Sequence, residues 1–473
     1  MQLNDVHSRL NATEIAYIER PRDESEVVAL VRRARAEGSA ICPFGGRHAM
    51  GGQQFCAGAI AVDTSDLLGT PQLDHDRGLL TIGAGAHWPA VIAATWSAGK
   101  PTREGGGRWG IRQKQTGADD MSLGGSVSAN AHGRGMGIGP LVDDVEGFRI
   151  VTANGDALRC SRAEHPDLFS LAIGGYGMFG IITEVTLRLA ERRKLRRVVD
   201  IIDLDDAINA ARRRFNEGCL YGDFQYAIDP SDDSFLRRGV MACYTPVSES
   251  VPVSPLEADL SQDRWLELLE LAHTDKARAF ALYAQYYLTT HGRVYWSDTM
   301  QLSTYIPAYS DFLATRLKAG GPDESLMITE LYVPPDALAA FMLSARSVLR
   351  TAEVEDIYGT IRSIRRDTTT FLPWAKQDYA CIIFNLRTPH TCDGVGRTRE
   401  TCRRLIDAAI ELNGSFYLTY HGWATRPQLQ QAYPRLGEWF KQKRTYDSDE
   451  LFQSAWYRRL KEVITEPGSG LEA

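Results

Sequence analysis

Short helices alternate with short strands along the first 190 residues, judged from the spacing of apolar positions. Between Asp23 and Gly38, valines and an alanine recur on one helical face. Asp23 or Ser25 is suited to cap the first turn, and Gly38 is suited to end the last one. The pattern therefore predicts a helix between these residues.

Period-two alternation and buried apolar runs predict strands in the same region. A hairpin is expected at 145–160, where Asn154-Gly155 stands between two alternating runs and suits a tight primed turn. Further strands are predicted at 39–44, 59–67, 78–86 and 180–191, and short helices at 87–100 and 166–175.

The pattern changes after about residue 195, where the helical stretches become longer. One helical pattern runs through 263–288, and strands are predicted at 325–333 and 379–387. A strand-like stretch at 415–423 precedes an aromatic-rich and largely helical segment at 426–460. The chain therefore mixes helices and strands throughout and predicts two or three domains.

Composition excludes several classes of protein. The chain has 473 residues, 44% hydrophobic and 24% charged, with a net charge of −7 that argues against nucleic-acid binding. No apolar run is long enough to span a membrane, and the N-terminus lacks the apolar core of a signal peptide. The eight cysteines form no C-x-x-C pair, which argues against a metal site and favours the reducing cytoplasm.

A first glycine-rich loop at 44–55 reads FGGRHAMGGQQF and carries His48. It lacks the G-x-G-x-x-G order and the following helix of a dinucleotide fingerprint, and no G-K-[ST] follows as in a P-loop. The backbone amides of such a loop suit a pyrophosphate. An ordinary surface turn is the alternative interpretation.

A second glycine-rich loop at 116–135 contains another histidine, His132. Two such loops, each following a strand, predict two arms around one extended ligand; a pair of ordinary loops is the alternative. Trp109 and Tyr176 are candidates for stacking on a ligand, although aromatic residues more often fill a core.

Four blocks of the chain together resemble the vanillyl-alcohol-oxidase type of flavoprotein, the PCMH-type FAD-binding family. They are PFGGRHAMGGQ at 43–53, GADDMSLGGSVSANAHGRG at 117–135, the stretch 144–189, and YPRLGEWFKQKRTYDSDELFQSAWYRRL at 433–460. The resemblance implies an α+β protein with a two-lobed FAD-binding domain at 1–195. It also implies a cap domain with a large antiparallel sheet at 196–414 and a segment at 415–473 that returns to the FAD domain.

The resemblance implies FAD as the cofactor, bound covalently through His48. Aldonolactone oxidases, alditol oxidases and cytokinin dehydrogenases carry G-H-S at this place, where the present chain has Arg47-His48-Ala49. His132 and Gly133 are expected beside the flavin, and Ile181 or Ile182 at the adenine. The full set of implied cofactor residues is Pro43, Phe44, Gly45, Gly46, Arg47, His48, Ala49, Met50, Gly51, Gly52, Gln53, Gly117, Ser122, Leu123, Gly124, Gly125, Ser128, His132, Gly133, Ile181 and Ile182.

Two residues are implied as catalytic. His421 takes the position of a lysine in decaprenylphosphoryl-ribose oxidase and alditol oxidase and is expected to accept the substrate's hydroxyl proton. A structural hydrogen bond within a strand is its alternative role. Arg362 matches an arginine that holds the developing oxyanion in alditol oxidases, and an ion pair with Asp367 or Glu355 is its alternative role. The substrate is expected to contact Ser126, Thr360, Asn385 and Tyr420; Thr360 replaces the acid that grips a polyol in alditol oxidases.

The implied activity is oxidation of an alcohol of a sugar, polyol, lactone or related small molecule by hydride transfer to FAD. Dioxygen is the expected acceptor, giving hydrogen peroxide. The alternatives are a dehydrogenase with another acceptor, a C=C reductase of the sterol-reductase-like branch, and a flavin-binding scaffold. The sequence leaves the oligomeric state open.

Overall fold

The structure, a computed structural model, describes residues 1–96, 107–117, 119–255, 260–303, 312 and 322–465. The last residues of the helix predicted at 87–100, Ala118 of the second loop, and residues 466–473 therefore lie outside the described part. Helices and antiparallel sheets both contribute substantially, which confirms the predicted α+β class.

The first lobe is a parallel sheet in the order β3-β5-β4, covered by α1. The helix begins after the N-cap Asp23, whose side chain accepts from the Glu26 amide, and ends at Gly38 with φ +67°, as predicted. The elements are β1 (Gln2–Leu3), β2 (Thr13–Glu14), β3 (Tyr17–Glu19), α1 (Glu24–Glu37), β4 (Ile41–Phe44) and β5 (Ile60–Asp63).

The second lobe is a five-stranded antiparallel sheet in the order β10-β9-β11-β7-β6. The predicted hairpin is β9 and β10, but its loop spans 152–156 and, of Asn154 and Gly155, only Gly155 has a positive φ. The connection is therefore not a primed turn. The elements are β6 (Gln72–Asp74), β7 (Leu79–Gly83), α2 (Trp88–Ala94), β8 (Trp109–Gly110), α3 (Leu123–Ser128), β9 (Val145–Val151), β10 (Ala157–Ser161), α4 (Pro166–Ala172), β11 (Ile181–Arg188) and β12 (Ala190–Glu191).

An eight-stranded antiparallel sheet follows, in the order β16-β13-β15-β14-β18-β19-β17-β20. It begins at Lys194 and ends at Phe416, close to the expected boundaries at 195 and 414. The elements are β13 (Lys194–Asp203), α5 (Leu204–Asn216), β14 (Tyr221–Tyr226), β15 (Arg238–Pro246), α6 (Gln262–Thr274), α7 (Lys276–Thr289), β16 (Val294–Trp296), β17 (Glu324–Val333), α8 (Leu338–Ala352), β18 (Asp356–Ile364), β19 (Tyr379–Pro389), α9 (Cys392–Glu411) and β20 (Ser415–Phe416).

Two helical pairs pack on this sheet. Helices α8 and α9 contact each other, and α9 covers β17 and β19. Helices α6 and α7 form a hairpin, with α6 against β18. The single helical pattern at 263–288 is therefore two helices, because Asp275 adopts a non-helical conformation and its side chain caps α7 by accepting from the Arg278 amide.

The C-terminal segment leaves the sheet and packs against the first two lobes. The strand predicted at 415–423 is only β20, and a turn follows it. Ile41 pairs with Phe452 in a parallel bridge, and Trp439 packs edge-on against Phe179. The helices of this segment are α10 (Arg426–Ala432), α11 (Leu436–Tyr446) and α12 (Ala455–Thr465).

Candidate active site

One continuous cavity of about 540 Å³ lies between the two glycine-rich loops and the large sheet. It runs from the loops, past the start of β11, and along β18 to helices α6 and α7. Although the chain holds 60 Asp and Glu residues, none of the described lining residues is Asp, Glu or Lys. A lining without carboxylates suits an anionic group such as a pyrophosphate.

The first loop lines the cavity with Pro43 through Ala49 and with Gln53. Arg47 adopts the left-handed conformation, with φ +56°. The loop lies so close to the second one that a Cβ atom on Gly46 would come within 2.4 Å of the Asp120 carbonyl oxygen. Only glycine allows this approach, which explains the composition of the loop.

Three predicted cofactor residues of this loop do not line the cavity. The side chain of Met50 packs in the main core. Gly51 and Gly52 lie on the part of the loop that faces away from the cavity. The Gln53 side chain accepts from the Gly51 amide and donates to the Leu418 carbonyl, which ties the loop to the C-terminal segment. Met50, Gly51 and Gly52 therefore support the cavity wall without lining the cavity.

His48 lies at the cavity beside a second histidine that the sequence analysis missed. The Nε2 atom of His7 is 2.8 Å from the Nδ1 atom of His48, and both residues line the cavity. Burial, followed by the charge of His7, lowers the pKa of His48 to about 3. The imidazole of His48 is therefore neutral near pH 7. His7 lies in no glycine-rich motif, so nothing in the sequence marks it as part of a site.

The second loop leads into α3, whose N-cap Ser122 accepts from the Gly125 amide. Five of the predicted residues line the cavity: Gly117, Ser122, Gly124, Gly125 and Ser128. Leu123 instead lies fully buried in the core.

Ser126 does not line the cavity, so its predicted contact with substrate is wrong in position. Its hydroxyl donates to the Ser122 carbonyl and accepts from Trp88 Nε1. The reason is the helical turn, which directs position 126 inwards while positions 124, 125 and 128 face the cavity.

The far end of the FAD-binding part is formed by the start of β11. Ile181 and Ile182 line the cavity together with Tyr176, Gly177 and Gly180, and their contact with the adenine stays a prediction. Tyr176 has φ +51° and packs against Trp456 of α12. Tyr176 therefore contacts both the cavity and the returning C-terminal segment.

His132 and Gly133 lie behind the cavity wall and not in its lining. The fully buried His132 has its Nε2 atom 2.5 Å from Glu330 Oε1, and that carboxylate also accepts from Tyr332 and Cys381. Burial alone would raise the pKa of Glu330, but His132, Tyr332 and the charge of Arg362 outweigh it and lower the pKa to about 2. Ligand atoms of His132, Glu330 and Cys381 lie within 4.8 Å of one another, a cluster that sequence spacing did not predict.

The large sheet contributes Thr360, Arg362 and Asn385 to the cavity lining, and the turn after β20 contributes Tyr420. Their roles toward a substrate stay predictions. Nε and Nη1 of Arg362 are buried and have no hydrogen-bond partner among the described residues. Its suggested ion-pair partners are used elsewhere, since Asp367 bonds Asn130 and Thr370 and Glu355 pairs with Lys276 and Arg387. Among the described residues, neither of the two ion pairs suggested for Arg362 is formed.

His421 lies on the other side of the sheet, and this position contradicts its predicted role as base. It is not part of the cavity lining, and its Nε2 atom bonds Thr329 Oγ1 at 3.1 Å. On β17 the cavity-facing Ile328 has the opposite orientation to Thr329, because side chains alternate along a strand. Burial, then the charge of Arg459, lowers the pKa of His421 to about 3. Tyr420 faces the cavity in its place.

Most of the residues by which β14, β17, α6 and α7 line the cavity are not predicted from the sequence. These residues are ordinary apolar, aromatic or amide side chains, so no motif marks them. They include Gln225, Tyr226, Trp265, Leu268, Leu269, Ala272, Ala279, Phe280, Tyr283, Leu326 and Ile328.

Comparison with known proteins bears on the first part of the chain. Residues 15–161 match the family model for the FAD binding domain. A relative described as FAD-dependent monooxygenase FUP4, from Fusarium proliferatum, is 33% identical over 36% of this chain and 31% of its own length. Cytokinin dehydrogenase 5 from Oryza sativa is 29% identical over 38% and 34%, respectively. A putative D-arabinono-1,4-lactone oxidase from Neurospora crassa is 28% identical over 36% and 28%.

The chain thus spans about a third of the length of these relatives. Residues 15–161 therefore resemble an FAD-binding domain, in agreement with the expected family and with FAD as the ligand of this part of the chain. The glycine-to-backbone contact between the loops and the carboxylate-free lining both fit FAD. Among the described residues, no helix is both long and apolar enough to cross a membrane.

Proposed function

We propose that the protein is an FAD-dependent oxidoreductase that oxidises the CH–OH group of a small-molecule alcohol, with dioxygen as acceptor. The position of Arg362 carries this proposal: it shares one cavity with the FAD-binding loops, and two of its buried guanidinium nitrogens bond no described residue. Buried donors of this kind favour an oxygen on which negative charge develops. FAD, when bound, supplies the acceptor for the hydride.

Arg362 and Tyr420 divide the work on the substrate oxygen. Arg362 stabilises that oxygen as the carbon gives up a hydride with its two electrons and the hydroxyl proton leaves to water. Burial raises the pKa of Tyr420 well above its usual value, so its hydroxyl remains a donor that orients the oxygen. Loss of the hydride and the proton leaves the carbonyl product. Dioxygen then takes the two electrons and two protons and becomes hydrogen peroxide.

His48 is proposed to bond covalently to the flavin's benzene-ring methyl group. A neutral, partly desolvated imidazole is a competent nucleophile, and His7 beside it fixes its tautomer. Formation of the C–N bond removes one hydrogen from the methyl group and one from the imidazole. The two electrons and two protons released pass to dioxygen, which becomes hydrogen peroxide.

Anaerobic mixing of the holoenzyme with alcohols tests the activity. Bleaching of the flavin absorbance by an alcohol, followed by recovery in air with one equivalent of peroxide, supports the proposal. Bleaching that persists in air contradicts dioxygen as acceptor and supports a dehydrogenase. Bleaching by NADPH but by no alcohol contradicts alcohol oxidation and supports a C=C reductase.

Acid precipitation tests the covalent bond. We expect a yellow pellet and an intact mass raised by one FAD, both lost in His48→Ala. His7→Phe should slow attachment at least tenfold when the apoprotein is mixed with FAD, while non-covalent FAD binding persists. A colourless wild-type pellet with a yellow supernatant would remove this role from His48.

We also propose a reducing, cytoplasmic location, because all eight cysteines are free thiols and seven of them are buried. Fractionation of the producing cells checks this location. Recovery of the protein outside the cytoplasm would contradict it.

A further inference from the structure

The cavity continues well beyond the position of Arg362. Glu330, on which the charge of Arg362 acts, and the cavity-lining Leu326 are four residues apart on β17, which corresponds to roughly 13 Å along the strand. Helices α6 and α7 close this far end. We call it the distal arm, and define it by Trp265, Leu269, Ala279, Phe280, Leu326 and Ile328.

The side chains of the distal arm are apolar or aromatic, in contrast to those around Arg362. No described lining residue of the whole cavity is Asp, Glu or Lys. The nearby Asn385 already donates its amide hydrogen to the Tyr358 carbonyl. A buried hydroxyl in the lining, that of Tyr283 on α7, makes no hydrogen bond to the described residues and could serve one substrate group. The other hydroxyl groups of a free polyol would lose hydrogen bonds to water in the arm without gaining partners, at a cost of about 1–3 kcal/mol each.

We propose that the distal arm binds the apolar body of the substrate, an aryl or extended alkyl group, while its terminal hydroxyl is oxidised at Arg362. This inference rests on the proposed alcohol oxidation, since it names the substrate class for that same site. The protein should therefore bind a hydrophobic alcohol more tightly than a free sugar alcohol, because a sugar alcohol would leave the arm empty.

The continuity of the cavity gives the proposal its geometry. The arm and Arg362 open into one space, so one molecule reaches both. Burial of each added methylene contributes about 0.8 kcal/mol, which corresponds to about fourfold tighter binding. Affinity should therefore rise steeply with chain length until the arm is filled.

A matched pair of variants on α7 isolates the arm. Ala279 lines the cavity and is 6% exposed, whereas Ala281 on the same helix is exposed and outside the lining. Ala279→Phe should fill the arm, and Ala281→Phe should leave it unchanged. Phe280→Ala, which enlarges the arm, serves where Ala279→Phe fails to fold and should favour bulkier probes.

The probes are straight-chain primary alcohols from butanol to decanol, their non-oxidisable methyl ethers, and xylitol. The ethers report binding to the oxidised holoenzyme through tryptophan fluorescence and the flavin spectrum, without turnover. We expect the Kd to fall about fourfold per methylene in the wild type and in Ala281→Phe. In Ala279→Phe the longest ether should bind at least tenfold more weakly.

The outcomes separate this inference from the proposed function. Chain-length-dependent ether binding without oxidation of any alcohol supports the arm and overturns the alcohol oxidation. Oxidation of alcohols with a KM that does not depend on chain length would overturn the role of the arm and leave the oxidation intact. A lower KM for xylitol than for decanol would do the same. Equal loss of ether binding in both alanine variants also overturns the arm.

Discussion

The FAD-binding part and the large sheet line the same cavity by different means. The loops at 43–53 and 117–128 approach one another through backbone, and glycine is required where a Cβ atom would meet a carbonyl. On the sheet, by contrast, the cavity is lined by side chains, among them those of Thr360 and Arg362. A site built from backbone can therefore be recognised in the sequence by its many glycines. A site built from side chains cannot, because it depends on which face of the sheet each residue occupies.

The largest expected effect comes from the backbone site. Gly46→Ala would place a Cβ atom 2.4 Å from the Asp120 carbonyl oxygen, so one of the two loops must shift. We expect loss of bound FAD from the purified protein, measured as the ratio of flavin to protein absorbance. Gly437→Ala in α11 is the control, because its Cβ atom would meet nothing within 4 Å. Full FAD content in Gly46→Ala would show that the loop contact is dispensable.

The next effect concerns the side-chain site. Arg362→Met removes the charged donor but keeps an apolar stem, and we expect flavin reduction by alcohol to slow by about 10²–10³-fold with FAD still bound. Arg366→Met, four residues on and exposed, should reduce flavin at the wild-type rate. Rapid-mixing absorbance measures both rates. Equal rates in the two variants would exclude Arg362 from the chemistry.

The buried carboxylate behind the site should control stability more than rate. Glu330→Gln removes one partner of the fully buried pair with His132 and should lower the free energy of unfolding by roughly 3 kcal/mol. Because the pKa of folded Glu330 lies below its unfolded value of 4.5, its contribution is present above pH 4.5 and is lost as pH falls towards 2.

Urea unfolding at several pH values measures this contribution. The difference between wild type and Glu330→Gln should be largest near pH 7 and should shrink below about pH 4.5. Glu324→Gln on the same strand, which loses a less buried pair with Arg387, should cost about 1 kcal/mol at most. A difference that stays constant with pH would contradict the lowered pKa.

The sequence was sufficient for the features that depend on composition and periodicity. Helix α1 with its caps and the hairpin β9-β10 lie where they are predicted, and residues 43–49 of the first glycine-rich loop line the cavity. His7 and the His132–Glu330 pair could not be predicted, because each joins residues far apart in sequence without a motif. Folding within the first lobe brings His7 to His48, where the Val6 amide also donates to the Arg47 carbonyl. Packing of the second lobe against the large sheet brings His132 to Glu330.

The same limit explains the misplaced base. The stretch at 415–423 reads as a strand, but pairing ends at Phe416, and the orientation of the next residues follows from the turn. A shift of one residue exchanges Tyr420, which faces the cavity, for His421, which bonds Thr329. Sequence alignment through distant motifs does not resolve such a shift.

Paired variants at these two neighbouring positions give the smallest expected effect and the sharpest test of register. Tyr420→Phe removes a hydroxyl at the substrate oxygen and should slow flavin reduction about tenfold, the equivalent of one hydrogen bond of about 1.4 kcal/mol. His421→Gln keeps a polar group near Thr329 and should change the reduction rate less than twofold, with any loss appearing in the unfolding midpoint instead.

If His421→Gln slowed reduction while Tyr420→Phe did not, the base would belong to position 421 and the cavity would have to open on the side of α9. A slow rate in both variants would point to the turn as a unit, and substrate affinity measured with the non-oxidisable ethers would then separate a displaced cavity wall from a lost hydrogen bond.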